Sequence, residues 1–218
     1  DPEMSRGLGD VYKRQDLYCE PEAVYETLQV MNTLQPGLCV LGTRLPGCFN
    51  VFEMSVRAVL GQQITVKAAS TLAARLVAVY GTQVQTGIEG LTHSFPAPAA
   101  ILALGENISE HLGKLGIISA RANTIYQLAR VLADEKNDFG FCGNPEEEMQ
   151  KLQAIRGIGS WTAQYIAMRA MGWPDAFLPT DAGIKKALPD HTPKELQVLS
   201  EAWRPWRSYA TVNLWNTL

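Results

Sequence analysis

The chain has 218 residues, 46% of them hydrophobic and 19% charged, with a net charge of −3. That is the balance of a globular chain with a sizeable core, long enough for one large domain or two small ones, and it excludes a disordered chain. No run approaches the roughly 18 apolar residues of a membrane span, no basic-then-apolar leader opens the chain, and the acidic total is not the footprint of most nucleic-acid binders.

The opening DPEMSRGLGDVYKRQ has neither a helical period nor caps. Its Asp10-Val11-Tyr12-Lys13-Arg14-Gln15 can be encoded by GATGTGTATAAGAGACAG, which is similar to the transposon mosaic end used in sequencing libraries. Residues 1–15 are therefore expected to be a non-native leader. The first helix is expected over 20–31, with Ala23, Val24, Leu28 and Met31 on one face. Residues 36–50 read as loop. A second helix runs over 51–60 and ends at Gly61. Thr65 caps a third, which runs to Tyr80 with Val66, Ala69, Leu72 and Leu76 on its apolar face.

Residues 81–98 read as a connector. Ser119 is expected to cap a helix running to about 133, with Ile125, Leu128 and Leu132 inward. After a turn at 140–144, Asn144-Pro145-Glu146-Glu147 supplies a cap, a first-turn proline and a glutamate at the third position. Thr192-Pro193-Lys194-Glu195 repeats that grammar, and a last helix starts near Pro205. No strand alternation or solenoid period is visible. The fold class expected is all-α.

Charge is unevenly spread. Residues 134–148 hold six acids and one base, a sum of −5, whereas residues 151–218 hold eight bases and five acids, a sum of +3. A local basic face is what a polyanion meets. Cys19, Cys39, Cys48 and Cys142 form no CxxC or Cys/His cluster, which excludes a conventional zinc site or iron–sulfur cluster. Reduced thiols in a cytoplasm are expected. His93, His111 and His191 share no ligand spacing.

The stretch Leu152-Gln153-Ala154-Ile155-Arg156-Gly157-Ile158-Gly159-Ser160-Trp161-Thr162-Ala163 ends one helix, turns on Gly-x-Gly and starts another with Ser160 as cap. Glycines there let a backbone approach a phosphate, and helix-start amides suit an anion. Two readings stand side by side, a helix-hairpin-helix that grips DNA and an αα-corner that needs glycines to turn. Trp161 and Tyr165 share a helix face. With Trp215 and the carboxylate of Asp181, they read as a pocket for a flat, electron-poor group or as ordinary core with Asp181 as a helix cap.

VRAVLGQQIT, LQAIRGIGSWTAQYIAMRA, FLPTDAGIKKAL and EAWRPWRSYATVNLWNTL, with PEAVYETL and LPGCFNVFE before them, carry a family likeness. On these segments the chain resembles the DNA-3-methyladenine glycosylase II family, of the helix-hairpin-helix-GPD DNA glycosylase superfamily. The resemblance runs through nearly all of the chain past residue 15. It implies two helical lobes with the hairpin at a DNA-binding cleft, one of 51–173 and one of 16–50 with 174–218. It also implies a fragment, since the family has a further N-terminal domain of mixed β character.

The resemblance implies that Asp181 is the catalytic carboxylate, opposing the positive charge of an oxocarbenium-like sugar. Trp161, Tyr165 and Trp215 match aromatics that stack on a flipped, cationic base. Gln63 matches the residue wedged into the gap the base leaves. Arg156, Gly157, Ile158, Gly159, Ser160 and Trp161 match the DNA-gripping hairpin. The main-chain carbonyls of Gln153, Ile155 and Ile158 match a structural Na+ or K+ site, with no cofactor required. Arg156 stands where the family has proline, and Ala182 and Gly183 stand where a bulkier pair is expected, which implies a wider pocket. Bifunctional relatives place a lysine at the position of Trp161, so no lyase step is implied.

The activity expected is excision of alkylated purines from duplex DNA in base excision repair, leaving an abasic site. The chain would act as a monomer near the nucleoid, away from membranes. The competing expectation is a non-catalytic helix-hairpin-helix fragment that holds DNA.

Overall fold

The structure, a computed structural model, describes residues 14–133 and 144–218. Residues 1–13 of the expected leader, the turn at 140–143 with Cys142, and the acids Asp134, Glu135 and Asp138 lie outside the described residues. The chain divides into two compact units, Asn50–Thr162 and a second unit made of the segment up to Phe49 together with Ala163–Leu218.

In the second unit α1 (Pro21–Leu28) continues into a 3-10 turn over Gln29–Thr33. In the Asn50–Thr162 unit, α2 (Val51–Leu60) is capped by Asn50, whose side chain accepts from the Glu53 amide. Thr65 caps α3 (Val66–Tyr80) in the same way through Ala68. The connector after Gly81 holds two short antiparallel strands, β1 (Thr82–Gln83) and β2 (His93–Ser94), with Thr82 opposite Ser94. Two short helices then appear that the sequence reading passed over, α4 (Pro98–Leu102) and α5 (Ile108–Gly113). They are too short to show a helical period, though each buries an isoleucine, Ile101 or Ile108.

The longest helix after them, α6 (Ser119–Leu132), packs against α2, α4 and α5 and forms the centre of this unit. Ala122, Ile125, Leu128 and Ala129 fill its inner face and are fully buried. Ser119 is the first helical residue, not the cap; Ile118 holds the cap position without a side-chain bond. In α7 (Pro145–Gln153) Asn144 caps through the Glu146 amide, and Glu146, Glu147 and Glu148 occupy the first turn, where negative charge complements the helix dipole. The described part of the acidic run thus has a structural use.

The helix α8 (Ser160–Arg169) crosses from one unit to the other. The sequence reading set the boundary after Trp173, but the units part between Thr162 and Ala163. The cause lies in the bonds of the later turns of α8. Gln164 accepts from the Phe177 amide, and Arg169 donates to the Pro46 carbonyl at 2.8 Å, so these turns belong with the second unit.

The rest of that unit is α9 (Ala182–Ala187), α10 (Pro193–Leu199), a 3-10 turn over Ser200–Trp203 and α11 (Arg207–Trp215). Thr192 and Glu195 form a full capping box at α10. Val24, Leu28, Met31, Leu196, Trp203 and Leu214 are buried in the core. Early and late segments are joined by polar ties as well. Asn213 on α11 accepts from the Val40 amide at 3.0 Å and the Thr43 hydroxyl at 2.9 Å. The Leu45 amide donates to Asp16 at 2.8 Å, and the Gly47 amide to the Arg14 carbonyl at 3.0 Å, so Arg14, within the expected leader, takes part in this unit.

Candidate active site

In the second unit, Asp181 caps α9 and its Oδ1 accepts from the amides of Gly183 at 2.8 Å and Ile184 at 3.1 Å. The Trp215 indole N–H, arriving from α11, donates to the same oxygen at 2.8 Å. The cap reading and the functional reading of Asp181 are therefore compatible: the cap orients the carboxylate, and charge-assisted bonds of this kind are the strong ones. Tyr165 on α8 lies beside Trp215, with ring centroids 6.3 Å apart. Asp181, Tyr165 and Trp215 are all half-buried.

The small residue at 183 does not leave a wider pocket, as the sequence suggested. A Cβ on Gly183 would stand 2.7 Å from Cδ1 and 2.9 Å from Nε1 of Trp215. The space is used by the indole on its way to Asp181. Sequence reasoning also missed Arg169, one helical turn beyond Tyr165. Its guanidinium carbon is 6.0 Å from the Tyr165 ring centroid and 5.8 Å from that of Trp215, within cation–π reach. The i, i+4 spacing on α8 was the available signal.

A buried ion cluster fixes α11. Arg207 donates through Nε to Asp175 Oδ1 at 2.7 Å, and through Nη2 to Oδ2 and the main-chain carbonyl, each at 2.9 Å. Arg204 also pairs with Asp175, and Glu201 pairs with both arginines. The Glu201 carboxyl is held below its ordinary range, chiefly by the hydrogen bond from Arg204. Burial pushes the Tyr209 phenol on the same helix well above its ordinary value. This cluster seats the helix that brings Trp215 to Asp181.

In the Asn50–Thr162 unit the hairpin between α7 and α8 has Gly157 at φ +97°. A Cβ there would stand 2.0 Å from the Thr124 hydroxyl oxygen, which itself donates to the Arg156 carbonyl at 2.9 Å. Glycine is needed at 157 on both counts. Gly159 is different: a Cβ there meets nothing within 4 Å. Ser160 is the first residue of α8, not its cap. The first amides of a helix have no intrahelical partner, and helix starts in general suit an anion.

Not every hairpin residue can play the part expected. The Ile158 amide donates to the Ile155 carbonyl at 3.0 Å, and the Ile158 side chain is buried, so neither is offered to a ligand. Arg156, Gly157, Gly159 and Ser160 are exposed. Trp161 is half-buried in the first turn of α8. Gln63 is exposed in the turn after α2 with φ +55°. Among the described residues no cluster of His, Cys, Asp and Glu could hold a metal ion, and Cys19 and Cys39 are free thiols.

A helical scaffold with a Gly-x-Gly hairpin, followed by a carboxylate that caps a short helix against an indole, defines the class of helix-hairpin-helix base-excision proteins. The HhH-GPD superfamily model, described as base excision DNA repair protein, matches residues 56–207, and the chain belongs to that family. It is 36% identical over 217 residues to DNA-3-methyladenine glycosylase 2 of Escherichia coli strain K12, covering all of this chain and 73% of that protein. It is 40% identical over 209 residues to a Mycobacterium tuberculosis protein named "Probable bifunctional transcriptional activator/DNA repair enzyme AlkA". That match covers 93% of this chain and 41% of the relative, so the chain spans less than half of the mycobacterial protein. The solved 3-methyladenine DNA glycosylase from Archaeoglobus fulgidus shares the fold, with a TM-score of 0.80 at 23% identity, over 99% of this chain and 75% of that one.

Proposed function

We propose that the chain is a monofunctional DNA glycosylase that flips alkylated purines out of duplex DNA and releases them, leaving an abasic site. The observation that carries this reading is the Asp181 carboxylate, pinned by the N-terminus of α9 and the Trp215 indole beside Tyr165. A group fixed by donors on one oxygen does not reorganise as charge develops on the sugar. An alkylated purine is cationic and leaves readily, so opposing the oxocarbenium charge is the main task and a strong general acid is not needed. The Tyr165 and Trp215 faces suit a flat cation, worth about 0.5–2 kcal/mol.

Gly159 supports the DNA-binding part of the reading. Nothing within the protein requires glycine there, whereas a phosphate drawn to the start of α8 would. Trp161 offers no amine, so a Schiff base with the sugar has no nucleophile at that position. The mechanism therefore ends at base release. Gln63 is assigned as the wedge that fills the gap in the duplex.

The main-chain carbonyls of Gln153, Ile155 and Ile158 are the groups that would hold a Na+ or K+ ion in this reading. They are hard, neutral oxygens of the kind that replace an alkali ion's hydration. Ile155's carbonyl already accepts from Ile158 but keeps a second lone pair. Bound there, the ion would add positive potential at the phosphate. Replacing K+ by a large organic cation at constant ionic strength is expected to weaken duplex binding without unfolding the protein. No helix among the described residues is long and apolar enough to cross a membrane. The reading includes a monomer acting near the nucleoid in a bacterial cytoplasm.

The test is base release from a duplex holding one 3-methyladenine or hypoxanthine, by the chain and by Asp181→Asn. Release that depends on Asp181, with strand breaks only after alkali, supports the reading. Breaks without alkali would show lyase chemistry. Salt-sensitive duplex binding without release from either protein would favour a binding module.

A further inference from the structure

The turn that carries Gln63 is held in an unusual way. Gln63 has φ +55°, a left-handed conformation that costs a residue with a Cβ about 1–2 kcal/mol. Such a backbone persists only where its surroundings determine it. The determinant is its neighbour, Gln62. Gln62 Nε2 donates to the Gly157 carbonyl at 3.0 Å and lies 2.9 Å from the Thr162 hydroxyl oxygen. The Arg121 guanidinium, from α6, donates to the main-chain carbonyl of Gln62. Side chain and main chain of one residue are therefore both anchored.

The partners matter as much as the bonds. Gly157 is the glycine that opens the hairpin turn, and Thr162 lies in the first turn of α8. The Gln62 amide thus bridges the two sides of the hairpin, while Thr124 holds the Arg156 carbonyl from behind at 2.9 Å. A carbonyl only accepts, so the NH2 of Gln62 must face Gly157, and a carboxylate could not replace it. Gln62 is half-buried and fills little core.

We propose that Gln62 is a positioning residue that locks the Gln63 turn to the hairpin, so that the duplex wedge and the phosphate grip act as one body. The proposal rests on the reading of Gln63 as the wedge. A wedge that could swing relative to the grip would lose force when the base pair opens. Bracing it against main-chain atoms of the hairpin sets the distance between the phosphate and the vacated base site.

Single-turnover base release is compared for the unchanged protein, Gln62→Ala, Gln63→Ala and the double variant. The lesion is hypoxanthine, once paired in duplex DNA and once already unpaired opposite an abasic gap. Each single variant is expected to slow release from the paired lesion about five- to tenfold, the scale of one or two lost hydrogen bonds. The double variant should be no slower than Gln63→Ala alone. The defects should vanish on the unpaired lesion, where no base pair has to be opened. Multiplied defects in the double variant, or a Gln62→Ala defect that persists on the unpaired lesion, overturn the brace and leave the wedge standing. An inert Gln63→Ala overturns the wedge reading and the brace with it. Should Gln62→Ala unfold, Thr162→Val removes one anchor at nearly constant shape. A paired-lesion defect there supports the brace, and none overturns it.

Discussion

The two units hold their functional groups by opposite means. Around Asp181 the group of interest is a side chain, and backbone amides and an indole fix it. Around the hairpin the group of interest is backbone, and the side chains of Gln62 and Thr124 fix it. The contrast predicts how each region fails. A carboxylate can be deleted without disturbing the fold, whereas a main-chain donor is lost only by changing the path of the chain.

The sharpest use of that contrast is Asp181→Asn. Asparagine is as good a helix cap as aspartate, so α9 should persist while the charge is lost. Base release is expected to fall by about 10²- to 10³-fold, with duplex affinity retained. Single-turnover kinetics with a binding titration would check it, and a variant that keeps its rate would break the assignment.

Of similar size is the effect of the cluster behind α11. The Arg207 and Asp175 side chains are 7% and 10% exposed. Removing one partner of a buried pair strands the other, at a cost of about 3–5 kcal/mol. Arg207→Ala and Asp175→Ala should each lower the urea midpoint strongly, and together cost less than their sum. Equal and additive losses would mean that the pair does not act as a unit.

The hairpin glycines separate folding from binding. At Gly157 an added methyl meets Thr124 Oγ1 at 2.0 Å with φ at +97°, so Gly157→Ala should lose both stability and duplex binding. At Gly159 nothing stands within 4 Å. Gly159→Ala should melt near the unchanged protein and yet bind duplex several-fold more weakly, since only the ligand meets the methyl. Intact binding by Gly159→Ala would remove the phosphate from this end of α8.

These differences also explain what the sequence could tell. Caps at Thr65, Asn144 and Thr192 are local, one side chain answering an amide two or three residues on, and they were readable. The Gly-x-Gly turn and the Asp181 cap are local too. The reading failed where the cause is distant. Gly183 looked like spare room because Trp215, which fills it, is far along the chain. Ile158 looked like a donor because its bond to Ile155 is a matter of turn geometry. Gln62 gave no sequence signal because its partners, Gly157 and Thr162, lie about a hundred residues along the chain. The short helices α4 and α5 carry too few residues for a period to show.

A smaller effect tests the indole at Asp181. Trp215→Phe keeps an aromatic face beside Tyr165 but removes the N–H that reaches Asp181 Oδ1 at 2.8 Å. The other two donors to that oxygen are backbone amides and remain. A loss of about three- to tenfold in release rate is expected, the scale of one ordinary hydrogen bond. A loss as large as that of Asp181→Asn would mean that the indole does more than orient the carboxylate.

The smallest effect concerns pH and the rim of the ion cluster. Glu201 is exposed, and its carboxyl is held below the ordinary value of 4.5, first by the hydrogen bond from Arg204. A carboxyl lowered in the folded state favours folding while it is charged, so its contribution is complete at neutral pH. That contribution is lost as pH falls from the ordinary carboxylate value through the lowered one. Glu201→Gln should therefore cost a little stability at pH 7 and approach the unchanged protein in acid, and solvent and salt keep the difference small. Asp175, inside the same cluster, should not behave so mildly, because the two arginines it holds would be left without a buried partner. Melting curves from pH 7 down to about 3, for Glu201→Gln beside Asp175→Asn, would show whether the rim and the buried pair differ in this way.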